Sequence, residues 1–592
     1  MTSTPNATRS LLPGNAAVSP DLLAFFLMFV ASFITYLGLS DHPFIDFDDL
    51  RIIVNRIDTY DGLTLENLHT IIFRDHPREE PLIVRDISYL INAEIFGPLT
   101  PFGYLAGNLL LHVAASFLTY RLFLVLYPCK FWPATFTALL FALHPIHVES
   151  VAWISSRKDP LYACFFLAAF LSYHDFVATS KQTPLLVSYL LFVLSLFSKS
   201  SAIAFFPLVI SYRLLLHPAK PWKMNELFYL VTIALSTLLF VHWYHWELTA
   251  FGVFTKQGVP LLKHAPGQWF LLNVEAITFY LMKLCYPVDF SIFYDEPTPT
   301  TLFNNLPLLW ISVTLTAVIG FMIIKLWQRP DKRLLFLTTW FIITLAPYLN
   351  LAGVNIFVAD RYCYLASIAV LAAAAIGFST LTNRCLAIMT HRCHYLNQAF
   401  IASAIILCAV LSLSSINTIK IWESTETLWT NALRVAPSRL NPYAGLAKTL
   451  LSTYETIPNK IDALSTLHKA KKVATVAYER YCKNDSCPPA MASILIMLGK
   501  INYYEGNLTT AERHLKKALA FDEDNITALH VYGYVLTGQG RYNEAERLVM
   551  EIEHAADPKK NKRLLADIRN QLRPLLAAKH PPHRTSTTIQ DQ

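Results

Sequence analysis

Leu22-Leu-Ala-Phe-Phe-Leu-Met-Phe-Val-Ala-Ser-Phe-Ile-Thr-Tyr-Leu-Gly-Leu39 is uncharged and apolar, close to the roughly 20 residues a helix needs to cross a bilayer. Phe47-Asp48-Asp49-Leu50 follows within a few residues. Adjacent carboxylates at a membrane face are costly and mark a candidate site of chemistry. The rest of the chain agrees with a membrane setting. Of its 592 residues, 54% are apolar and 15% charged, which excludes an ordinary soluble domain and predicts an all-α, polytopic membrane protein. Apolar runs recur to about Asn417, and none after it is long enough to cross. The expected organisation is a polar tail 1–20, a membrane domain 21–420, a second domain 421–577 and a disordered tail 578–592. Met1 to Pro20 lacks the basic region and small-residue cleavage site of a secretory signal, so Leu22–Leu39 reads as a retained anchor. The net charge of +7 is dispersed, with no basic block to suggest nucleic acid.

Further apolar runs lie at 102–127, 131–148, 160–177, 185–200, 202–216, 227–246, 270–287, 307–326, 334–352, 362–381 and 399–418. With a cytoplasmic amino terminus, Lys130, Lys181, Lys220 to Lys223, Arg329 to Arg333 and Arg384 to His394 fall inside, as the positive-inside rule asks, provided one run does not cross. The run 270–287, which carries Asn273, Glu275 and Lys283, is expected to be interfacial or re-entrant. About eleven crossings and an extracytoplasmic carboxyl terminus result. Arg157, Lys158, Lys199 and Arg361 then sit at outer helix ends, against the rule. A lipid phosphate or pyrophosphate on that face is a reason for such exceptions, because Arg and Lys are the natural partners of phosphate oxygens.

The second domain repeats. Leu498-Gly499, Gly506, Ala511, Leu515 and Ala518 recur 34 residues later as Tyr532-Gly533, Gly540, Ala545, Val549 and Ile552, the tetratricopeptide period and pattern. Small residues let paired helices approach, and large apolar ones fill the space between pairs. A looser unit begins at Pro442, Trp429 to Pro437 resembles the end of another, and Lys559 to Leu576 suggests a basic capping helix. Such arrays bind extended polypeptide in a concave groove or serve as a structural lid. Cys482 and Cys487, within this domain, are predicted to form a local disulfide if it faces an oxidising compartment.

Between these features, a set of motifs runs in fixed order. Phe47-Asp48-Asp49 is followed by Arg85-Asp86-Ile87-Ser88-Tyr89-Leu90-Ile91-Asn92, Phe96-Gly97 and Asn108-Leu109-Leu110-Leu111-His112. Then come His144-Pro145-Ile146-His147-Val148-Glu149-Ser150, Ser156-Arg157-Lys158-Asp159, Ser198-Lys199-Ser200 and Asp360-Arg361-Tyr362-Cys363-Tyr364. Together with the repeats, they resemble the transmembrane and tetratricopeptide-repeat glycosyltransferases, which include O-mannosyltransferases, over essentially residues 22–560. Arg78-Glu79-Glu80-Pro81-Leu82 departs from that family in being more acidic than its usual Arg-Pro pattern. The resemblance implies a GT-C fold and transfer of a mannose-like monosaccharide from a polyprenyl or dolichyl phosphate to an acceptor outside the cytoplasm. The membrane implied is the plasma membrane in a prokaryote or the endoplasmic reticulum in a eukaryote.

On that resemblance, a carboxylate of the first outer loop, Asp48 or Asp49, is the general base, with Asp48 preferred. It would take the proton of the attacking hydroxyl, while Arg157, Lys158, Lys199 or Arg361 meets the charge on the departing phosphate. An intact phosphate leaves, so no metal is required, although some related enzymes use one. The repeats would hold the acceptor polypeptide.

Other readings of the same residues stay open. Asp48-Asp49 could cap a short interfacial helix. Asp159-Pro160 reads as a helix start, with Asp as the cap. His144, His147 and Glu149 have tempting metal spacing, but Pro145 breaks their common helix face, so hydrogen-bonded support or a donor contact is expected instead. Asp360 and Arg361 read as an internal ion pair or as substrate contacts. Arg85 is a candidate partner for Asp48 or Asp49. The rival functions are a glycosyltransferase acting on a surface glycan or lipid, and a non-enzymatic membrane-anchored scaffold.

Overall fold

The computed structural model describes residues 19–57, 59–73, 80–250, 266–295, 306–349, 356–388, 393–483, 486–555 and 562–579. These residues are helical, with no β-strand among them. The chain divides into two compact units, Met1–Leu428 and Trp429–Gln592. The division falls beyond the expected 420 because Thr425 Oγ1 accepts from Asp46 N at 3.0 Å, which ties the next helix start to the first unit.

The apolar runs of the first unit are largely helical over their described residues. α1 (Pro20–Tyr36) starts where Ser19 Oγ accepts from Leu22 N at 3.2 Å, with Pro20 and Asp21 in the first turn. It exposes Phe26, Phe33 and Ile34 and buries Ala24, Met28, Ser32 and Thr35. Large apolar residues outside with mostly small and polar ones inside is the pattern of helices packing within lipid. Short helices α2 (Asp49–Ile52), α3 (Leu65–Phe73) and α4 (Ile83–Phe96) form the first loop, and α5 (Pro101–Leu126) packs on α1. α6 (Phe131–Leu143) ends before Pro145, and after a turn α7 (Val148–Ala152) leaves at a bend of 51°.

α8 (Lys158–Thr179), α9 (Gln182–Ser198), α10 (Phe205–Leu216), α11 (Met224–Ala250), α12 (Pro266–Cys285), α13 (Leu306–Gln328), α14 (Arg333–Leu345), α15 (Ser367–Ile388) and α16 (Cys393–Ile419) follow. Among the described residues, 6 helices are long and apolar enough to cross a membrane, or 7 counting the bent pair. Gln182–Ser198, Ser200–Leu216, Thr316–Gln328 and Arg333–Tyr348 are apolar but shorter, which is why they fall outside that number. α12, over the run read as interfacial, is one continuous helix.

α17 (Thr425–Val435) straddles the division. The second unit contains α18 (Leu440–Thr456), α19 (Lys460–Tyr481), α20 (Ala492–Tyr504), α21 (Leu508–Leu519), α22 (Ile526–Gly538), α23 (Tyr542–Ala555), α24 (Lys562–Asp567) and α25 (Arg573–Lys579). The repeat residues are its core: Ala511, Leu515, Ala518, Ala545, Val549 and Ile552 are buried. Gly506 and Gly540, in the turns between paired helices, both have φ of 79°, a conformation glycine adopts without penalty. Cys482 and Cys487 are joined by a disulfide after α19.

A Cβ on Gly499 would lie 2.6 Å from Leu515 Cγ, itself fully buried. Gly499→Ala is therefore expected to destabilise the second unit by about 2 kcal/mol through overpacking. A thermal melt of the full chain that keeps the wild-type midpoint for this unit contradicts the packing.

Candidate active site

The two carboxylates of the first loop have opposite environments. Asp49 is fully buried; its Oδ1 accepts from Ser155 N at 3.0 Å and Ser155 Oγ at 2.5 Å, and its Oδ2 accepts from Ile45 N at 3.1 Å. It fastens the first loop to the turn Ile154–Arg157. Burial pushes its carboxyl up from 3.8 to about 7, the Ser155 and Ile45 hydrogen bonds working against the rise and the Asp48 charge adding to it. Asp48 is partly exposed, with Oδ1 2.5 Å from an Arg51 guanidinium nitrogen. It stands at the cap position of α2 but makes no capping hydrogen bond, so the capping reading fails for it.

Asp49 predicts a pH dependence of stability. The folded chain holds this proton more tightly than the unfolded chain, so the contribution is full below about pH 4 and is lost as pH rises through about 7. The stability of the wild type relative to Asp49→Asn should fall by about 2–3 kcal/mol between pH 5 and pH 8. A difference that stays flat across that range means Asp49 is ionised throughout.

Arg157 and Lys158 are neighbours with different surroundings. The Arg157 guanidinium is 2% exposed and donates to Asn108 Oδ1 at 2.8 Å, Ser88 O at 3.0 Å, Tyr104 O at 2.6 Å and Asn92 Oδ1. It also faces the rings of Tyr89 and Tyr104. That enclosure corrects its reading as a phosphate ligand: it knits α4, α5 and the 154–157 turn together. Lys158 reaches outward, its Nζ 2.6 Å from Glu80 Oε2. Arg85 does not pair with Asp48 or Asp49 as expected; it binds Asp86 at 2.9 Å and Glu80 at 3.1 Å, because the first turn of α4 points it that way.

Lys199 is buried, paired with Asp159 and set among the rings of Tyr162, Tyr348 and Tyr362 at 5.5, 4.9 and 5.9 Å. Asp159 also accepts from Ser156 Oγ at 2.7 Å, so it is a buried counter-ion and not the helix cap; the cap position is held by Arg157. Asp360 and Arg361 do not pair with each other. Arg361 binds Glu149, with its backbone N 3.0 Å from Glu149 Oε2, while Tyr294 OH donates to both Asp360 oxygens at 2.7 and 2.8 Å. Burial, and then the Glu149 charge, push the Asp360 carboxyl up. The adjoining cavity, lined in part by Glu149, Ser291, Asp360, Thr418 and Trp422, measures about 10 Å³, near the threshold for one water and too small for a sugar.

His144 Nε2 lies 3.2 Å from Leu284 O, and its Nδ1 accepts from Ile146 N at 3.2 Å. His147 is held between Phe141 O at 2.7 Å and Ser367 Oγ at 2.9 Å. All four ring nitrogens thus have protein partners. No group of three or more potential ligands is arranged for a metal among the described residues.

Three participants escaped the sequence. Ser155 holds Asp49 from 106 residues away, a separation that leaves no local pattern. Glu80 stood out only as acidic, with nothing in the sequence to pair it with Lys158. Tyr244 of α11 lies close enough to Glu80, Arg85 and Lys199 to feel their charges.

The chain matches no family model. It is 30% identical over 180 residues to protein O-mannosyl-transferase Tmtc1 of Drosophila melanogaster, which covers 29% of this chain and 20% of that protein. It is 34% identical over 168 residues to protein O-mannosyl-transferase TMTC1 of Homo sapiens, covering 25% and 18%. With protein O-mannosyl-transferase TMTC4 of Homo sapiens, identity is 33% over 147 residues, covering 22% and 20%. The matches thus span about a fifth of these relatives' length.

Proposed function

We propose that this chain, a relative of the transmembrane and tetratricopeptide-repeat protein O-mannosyl-transferases, transfers a mannose-like sugar from a polyprenyl or dolichyl phosphate to a protein hydroxyl on the extracytoplasmic face. The observation that carries this reading is the accessible carboxylate of Asp48, next to Asp49, which fastens their loop to the turn that leads into Lys158. In the reaction, the acceptor oxygen bonds to the anomeric carbon from the face opposite the phosphate, giving inversion. Its proton passes to Asp48. The bond from that carbon to the phosphate oxygen breaks, and Lys158 and Arg85 receive the growing negative charge.

Asp49 is a positioning residue in this scheme, since its oxygens are taken up by Ser155 and Ile45. Lys199 and Arg361, each buried against a carboxylate, shape the walls of the site. The leaving group is an intact phosphate, so the scheme routes no step through a metal. The repeat unit would hold the acceptor polypeptide, in a membrane whose outer or lumenal side carries the site. The test is transfer by the purified chain from mannosyl polyprenyl phosphate to a serine- and threonine-rich polypeptide. A mass gain of one hexose, lost in Asp48→Asn, supports the scheme; a gain on lipid or glycan acceptors with none on polypeptide refutes the acceptor class.

A further inference from the structure

Glu80 closes a cluster of cations from the solvent side. Its Oε2 accepts from Lys158 Nζ at 2.6 Å and from Arg85 Nη1 at 3.1 Å. Lys199 acts on the same carboxylate electrostatically. Exposure falls inward: the Glu80 side chain is 35% accessible, Lys158 16%, Lys199 8% and Arg85 4%. Deeper carboxylates already match two of the cations, Asp86 on Arg85 and Asp159 on Lys199. Without Glu80, the cluster would therefore carry net positive charge.

A carboxylate and a phosphodiester are alike in the property that matters here: each offers oxygens sharing one negative charge to Lys and Arg donors. We infer that Glu80 is an internal stand-in for the donor's phosphate, seated in the Lys158–Arg85 cradle of the resting protein and turned out into solvent when a lipid phosphate binds. This rests on the proposed function for the identity of the ligand. Exchange with the phosphodiester leaves the charge of the cradle unchanged. After transfer, the phosphate is a monoester carrying about −1.5 to −2 at neutral pH, so the cradle favours the product of bond breaking over its own carboxylate. Pro81 restricts the Glu80 backbone, which leaves side-chain rotation as the way out. Burial opposes ionisation of Glu80, but the Lys158 and Arg85 charges outweigh it and hold the carboxyl at about 2, so protonation at physiological pH does not empty the cradle.

The test is calorimetric titration of the purified full-length chain with polyprenyl phosphate, with polyprenol as the phosphate-free control. A competitor that occupies the site lowers apparent affinity by the fraction of time it is seated there. Glu80→Gln should tighten polyprenyl phosphate by about tenfold and leave polyprenol unchanged. Glu80→Ala, a second way to remove the charge, should tighten it as well, and a melt of each variant checks the fold. Unchanged or weaker phosphate affinity in both variants, with the wild-type preference for phosphate over polyprenol intact, overturns the inference and leaves the proposed function standing. No phosphate preference in any of the proteins, or a preference that survives Lys158→Met, overturns the donor-site reading itself.

Discussion

Asp48→Asn is expected to lower sugar transfer by at least about 100-fold while leaving the fold intact, since a positioned general base contributes about 10²–10⁴. The side chain is partly exposed and forms an ion pair with Arg51, an exposed residue of α2, the short helix that Asp48 precedes. Exposed pairs of this kind contribute about 0–1 kcal/mol, so removing the charge should hardly move the melting temperature. Asp49 makes the informative contrast. Asp49→Ala would strand the buried Ile45 N, Ser155 N and Ser155 Oγ, and each orphaned donor costs about 1–3 kcal/mol. Loss of transfer should thus come without loss of stability at position 48, and with it at position 49. Measuring kcat and the thermal midpoint for both variants decides the matter: normal kcat in Asp48→Asn removes Asp48 from the mechanism.

Arg157→Ala should destabilise the first unit by about 3–5 kcal/mol. The guanidinium serves acceptors on Asn108, Ser88, Tyr104 and Asn92, and a methyl group leaves all four without it. Arg157→Lys should rescue little, because a single ammonium cannot reproduce the planar fork. Gly107 belongs to the same arrangement: a Cβ there would lie 2.8 Å from Arg157 Nη2 and 3.0 Å from Asn92 Oδ1. Lys158→Met should behave differently, melting near the wild type but losing affinity for polyprenyl phosphate. If Arg157→Ala melts normally and only weakens that affinity, Arg157 is a phosphate ligand after all.

Much of the architecture was legible because its signals are local. Apolar runs mark helices without reference to anything distant, and those of the first unit are largely helical over their described residues. The 34-residue spacing of Gly499 with Gly533 and Gly506 with Gly540 reports a packing constraint that repeats along the chain. Pro145 ended α6 for a reason contained in its own ring. The pairing of charges was not legible. Arg85 was expected against Asp48 or Asp49 and binds Asp86 and Glu80; Asp360 and Arg361 were read together and turn to Tyr294 and Glu149. Adjacency alone does not decide an ion pair: Arg85 does bind its neighbour Asp86, whereas the short helical turn at Asp360 and Arg361 sends the two side chains to different partners.

By itself, then, the sequence determined that this is a helical membrane protein with a repeat unit, and that acidic and basic residues gather at helix ends of its first unit. Only the tertiary structure decided which of them are enclosed and which are accessible. Asp48 and Asp49 are adjacent, as are Arg157 and Lys158, and in each pair one side chain is enclosed by hydrogen-bond partners from elements far along the chain while the other faces outward. Charge and spacing are properties of the chain. Accessibility is a property of what packs against each side chain, and that is settled only when Ser155 reaches Asp49 and Glu80 reaches Lys158.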